Sequence, residues 1–215
     1  MDIGPWLDRI FPEVEPDPRP GGPSWVARIK TRTPEHNPPL FWLGRALDIV
    51  EEHGRFEQFE ARARAALVHP NRATWETEQH IEDVFSEACA FAWAAQHLGT
   101  PRFVEEPSGA MCIAVPDHDA VIAARRVHPR ESLEDVLQAV AQFAIDADSE
   151  LPQAAGRILY VDTYLNLRFY AQDLGYRLEL TEPLIAALRH FAGERDLGHV
   201  LTRPYQWGNA VDAAY

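Results

Sequence analysis

Ala110-Met111-Cys112-Ile113-Ala114-Val115-Pro116-Asp117-His118-Asp119-Ala120-Val121-Ile122-Ala123-Ala124-Arg125-Arg126-Val127 is the stretch on which the fold turns. Two apolar runs, 110–115 and 120–127, flank a polar break that opens on a proline. Short apolar runs bounded by Pro and Gly read as strands. Phe103-Val104-Glu105, after Pro101, gives a strand before them. Beyond them, Ser132 opens a helix to about Ala147, with Asp135 at capping-box spacing. Arg157-Ile158-Leu159-Tyr160-Val161-Asp162 then reads as a short buried strand, brought back parallel to its predecessor by the helical crossover.

Working upstream, three helices precede the sheet. Phe41, Leu43, Ala46, Leu47 and Val50 mark the first, with Gly54 as a left-handed cap. The second runs from Phe56 to Val68 and is rich in strong helix formers. The third starts at Thr74, and Ile81, Val84, Phe85, Ala88, Cys89, Ala92 and Ala95 make its apolar face as far as Gly99. Downstream, Leu165 to Leu174 and Glu182 to Phe191 read as two helices, and the tail after Gly198 adds one strand. The class is α/β: a helical N-terminal half, then a small mixed sheet flanked by helices.

Nine of the 17 prolines precede residue 40, so residues 1–39 read as a proline-rich extended arm, because proline removes a donor and clashes with the preceding helical turn. Trp6, Leu7, Ile10 and Phe11 have helical spacing and dock this arm, while Trp25 to Ile29 reads as a short strand. The arm is a clasp over one α/β domain, residues 40–215.

Composition limits the function. With 215 residues, 46% hydrophobic, the chain can build a core without staples. Its 20 Lys and Arg stand against 33 Asp and Glu, a formal charge of −13, which repels polyphosphate backbones and argues against a general nucleic-acid binder. Cys89 and Cys112 are too few for a disulfide framework and read as buried thiols in a reducing compartment, the cytoplasm. No run approaches a membrane span.

Glu87 on the long helix, Pro116-Asp117 before the third strand, the Ala123-Ala124-Arg125-Arg126 run within it, Gln142 on the next helix and the Ile158 to Asp162 strand together resemble the PD-(D/E)xK nuclease superfamily over residues 80 to 165. The resemblance implies a restriction-endonuclease-like core and a magnesium site with Glu87 and Asp117 as ligands. It departs from the family's second motif: Ala123 stands where an acid belongs and Arg125 where a Lys belongs. Alanine cannot ligate a cation, and arginine stays protonated at neutral pH. The expectation is a degenerate site with Glu87, Asp117 and Arg125 as vestiges, with Arg126, His128 and Gln142 beside them, and no cofactor. An active alternative would relocate the Mg2+ ligands to Glu87, Asp117 and either Asp119 or Glu131, with Arg125 on phosphate.

Asp117, His118, Asp119 and His128 are the densest group of metal-ligand types, but neighbours on a strand point to opposite faces, and a surface loop fits them better. Glu76 and His80 fall on a solvated helix face. Tyr160, Tyr164, Tyr170, Tyr176, Tyr205 and Trp207 fit either core packing or an aromatic small-molecule pocket in the last third, and the tail from Arg203 docks on the body or on a second subunit. The leading expectation is a non-catalytic protein on a nuclease-like core, acting through a protein partner, a basic one, or as a subunit of an assembly.

Overall fold

The computed structural model describes residues 3–16, 25–30, 38–67, 74–105, 111–127, 133–162, 174–202 and 210–214. In chain order these form α1 (Gly4–Ile10), α2 (Trp25–Ile29), α3 (Pro38–Glu52), α4 (Phe56–Leu67), α5 (Thr74–His97), β1 (Arg102–Glu105), β2 (Met111–Val115), β3 (Ala120–Arg126), α6 (Leu133–Glu150), β4 (Gly156–Asp162), α7 (Leu174–Gly193), β5 (Gly198–Thr202) and β6 (Ala210–Ala214). The sheet runs in sequence order, β1 to β6. β1, β2 and β3 are antiparallel neighbours, β3–β4 and β4–β5 are parallel, and β6 closes antiparallel on β5.

Alternation along β3 and β4 divides the core in two, as the period of 2 requires. Ala120, Ile122, Ile158 and Tyr160 join the apolar side chains of α1 to α5 on one face. Val121, Ala123, Leu159 and Val161 join α6 and α7 on the other, where Val136, Val140, Ala144 and Ala147 supply the buried stripe of α6. The result is helices on both faces of a mixed sheet, the arrangement that lets parallel strands bury both sides. The larger core carries an aromatic row: Phe59 meets Phe85 at 5.4 Å, and Phe91 stacks on Phe103 at 4.7 Å.

The three helices expected ahead of the sheet are α3, α4 and α5, and Gly54 adopts φ 66°, the left-handed cap read for it. Trp25 to Ile29 is corrected from strand to helix: Val26, Ala27 and Ile29 are buried on α2. Lys30 follows it, donating from Nζ to the carbonyls of Phe11 and Val14, both at 2.8 Å, and pairing with Asp8. A lone strand has no ladder there, whereas a helical turn satisfies its own backbone and buries one side. Residues 4–10 of the arm are helical rather than extended, as the spacing of Trp6, Leu7 and Ile10 suggests. Ile3, Leu7, Ile10 and Phe11 are fully buried in the larger core, and Trp6 Nε1 donates to Asp48 at 3.1 Å.

The helix expected from Glu182 begins eight residues earlier, at Leu174, with Pro183 inside it. The tail adds two strands rather than one. Residues 163–173, and with them most of the helix expected at Leu165 to Leu174, lie outside the described residues, as does the Ser132 cap. No described helix is long and apolar enough to cross a membrane.

Candidate functional site

Parallel strands β3, β4 and β5 each end on a polar side chain turned toward α5: Arg126, Asp162 and Thr202. Register makes this a row, since Arg126 pairs opposite Asp162 and the Thr202 hydroxyl lies 3.1 Å from Asp162 Oδ1. In open α/β sheets this end of the strands is where ligands usually bind. On α5, Glu82, Asp83, Ser86 and Glu87 occupy positions i, i+1, i+4 and i+5, which helical geometry puts on one face. That face meets the row.

Every charge in the cluster has an internal answer. Arg126, its side chain wholly buried, sits 2.8 Å from Glu82 Oε2 and donates from Nε to Asp83 Oδ1 at 3.1 Å. Asp162, also fully buried, accepts from the Ser86 hydroxyl at 2.6 Å. Glu87 is held by both arms of Arg62 from α4, Nε to Oε2 and Nη2 to Oε1, each at 2.6 Å. Such a two-pronged pair is the strong form of a charge-assisted bond. Four carboxylates thus face two guanidinium groups.

Protonation follows that imbalance. Burial pushes the Asp83 carboxyl up to about 6, against the pull of Arg126, and the neighbouring Asp162 charge pushes the same way. Burial also raises Glu87, with Arg62 opposing. The Cys89 thiol is held well above its ordinary value by burial and then by Asp162. Glu87 in turn raises Arg62 above its ordinary value, outweighing the desolvation that would lower it.

The residues read as a vestigial nuclease site are not brought together. Glu87 belongs to this cluster, but Asp117 lies in a 3-10 turn, Pro116–His118, at the opposite end of β3. There its Oδ2 accepts from the Thr100 amide at 3.3 Å, beside the C-terminus of α5. Ten residues separate Glu87 from His97, the end of that helix, about 15 Å of helical rise. Asp119, left-handed at φ 46°, accepts from the Ala155 amide at 3.0 Å and serves the turn. Arg125 points to the other face of the sheet and pairs with Glu150 of α6. Gln142 is exposed on α6 and donates to Asp146, across the sheet from Glu87. Arg126 is the one neighbour that joins the cluster. His128 and Glu131 lie outside the described residues.

Among the described residues, no three His, Cys, Asp or Glu side chains converge as metal ligands would. A magnesium ion does not fit the expected set: both oxygens of Glu87 are taken by Arg62, and Asp117 is at the wrong end of the strand. Tyr160 is core, 6.2 Å from Trp93. The side chains of Tyr164, Tyr170, Tyr176, Tyr205 and Trp207 lie outside the described residues.

Reading Asp83, Ser86, Asp162 and Thr202 required pairing the strands first. The available signal was that Arg126 and Asp162 each end an apolar run, while four polar residues interrupt the apolar face of α5. Comparison with family models, with curated proteins and with solved structures finds no match. Fold and site therefore define a class only, a three-layer α/β protein with a closed ion-pair cluster at its parallel strand ends.

Proposed function

We propose that the chain is a non-catalytic protein on a nuclease-like core that works by binding a basic protein partner. One observation supports this above the others: the place where such a sheet would hold a substrate is filled by its own counter-ions. Arg62 pairs with Glu87, Arg126 with Glu82 and Asp83, and the Ser86 and Thr202 hydroxyls take Asp162, so the carboxylates that would otherwise hold a metal or polarise water are occupied. Chemistry on a phosphodiester needs acids free to bind cations and a polarised nucleophile, and the order α5-β1-β2-β3-α6-β4 offers neither at Asp117. The formal charge of −13 steers a positively charged partner and makes association salt-dependent.

Two measurements test this reading together. Purified protein, incubated with single- and double-stranded DNA and RNA in Mg2+ or Mn2+, gives no cleavage. A partner co-purified at low ionic strength and then reconstituted from pure components binds with a Kd that rises with salt. Metal-dependent cleavage abolished by Asp162→Asn or Asp117→Ala would overturn the reading and establish a relocated nuclease site. A Kd unchanged between low and high salt would remove the electrostatic part.

A further inference from the structure

We draw no further inference here: the strongest candidate, the carboxylate-rich cluster of Glu82, Asp83, Glu87 and Asp162 between α5 and the ends of the parallel strands, belongs to the site already described, and its acids, paired with Arg62, Arg126 and the Ser86 and Thr202 hydroxyls, point to no ligand.

Discussion

Replacing Arg126 by methionine tests whether the cluster is an internal ion-pair lock. Methionine keeps the apolar stem of the side chain and removes the guanidinium, leaving Glu82 and Asp83 without their counter-ion beside a fully buried Asp162. Deleting one partner of a buried pair costs about 3–5 kcal/mol, because the remaining charge stays desolvated. Two features place this case at the lower end: Asp83 keeps 39% of its side chain in solvent, which screens its part, and Ser86 and Thr202 still serve Asp162. For a chain of this size each kcal/mol moves the melting temperature by about 2–4 °C. The expected loss is therefore roughly 6–12 °C near neutral pH.

The pH dependence gives the sharper readout. Asp83 titrates near 6 in the folded chain and at the ordinary 3.8 when unfolded. A carboxyl raised on folding binds an extra proton in the native state between those values, so its contribution to stability is complete below the lower one and is lost as pH rises through the upper one. Arg126 pulls the carboxyl down, so removing it raises the folded value further and carries the loss to higher pH. Thermal melts followed by circular dichroism at about pH 5 and about pH 7.5 should show Arg126→Met much closer to wild type at the acid end. Replacing the acids as well, Glu82→Gln and Asp83→Asn with Arg126→Met, should recover most of the neutral-pH loss, since removing both sides of a buried pair costs far less than removing one. A drop of under about 2 °C, or the same drop at both pH values, would refute the lock.

The other expectations are simpler. Arg62→Met strands the Glu87 carboxylate and should destabilise by about 3 kcal/mol in urea titration, with the double variant Arg62→Met/Glu87→Met regaining most of it. Cys89 and Cys112 lie in different cores and should resist a thiol reagent in the folded chain, both reacting once denaturant unfolds it. Gly54→Ala forces a side chain onto φ 66° and should cost about 1 kcal/mol by strain alone, there being no neighbour within 4 Å to clash, while Gly54→Asn costs less.

How far the sequence carried depended on whether a signal was local. The strands at 103–105, 111–115 and 120–126, the α5 periodicity and the Gly54 cap are fixed by residues within a few positions of one another, and each was legible. Trp25 to Ile29 was not, because four apolar residues and an arginine satisfy either period and only the docking of Lys30 on the Phe11 and Val14 carbonyls favours the helix. The start read at Glu182 was late for a related reason: α7 begins at Leu174 and carries Pro183 within it. The site failed for a different reason. Asp117 sits next to β3 in sequence and at the wrong end of it in space, whereas Asp162 and Ser86 are 76 positions apart and share a 2.6 Å hydrogen bond.

That long-range bond indicates what the cluster does for the fold. Ser86, Ala90 and Ala94 lie at i, i+4 and i+8 on α5, a buried stripe of small residues on the side that meets Asp162, and such a stripe by itself leaves a helix several nearly equivalent positions along its axis. Directional contacts remove that freedom. Ser86 to Asp162 fixes α5 against β4, Arg126 to Glu82 and Asp83 fixes it against β3, and Arg62 to Glu87 sets α4 on the same turn. A slide of one helical turn would leave four carboxylates and two guanidinium groups buried and mismatched, a penalty of several kcal/mol per ion. Apolar replacement of the whole cluster should then leave stability near wild type while broadening the amide resonances of α5. Sharp, unchanged resonances in such a variant would show that packing alone sets the register, and the cluster would need another explanation.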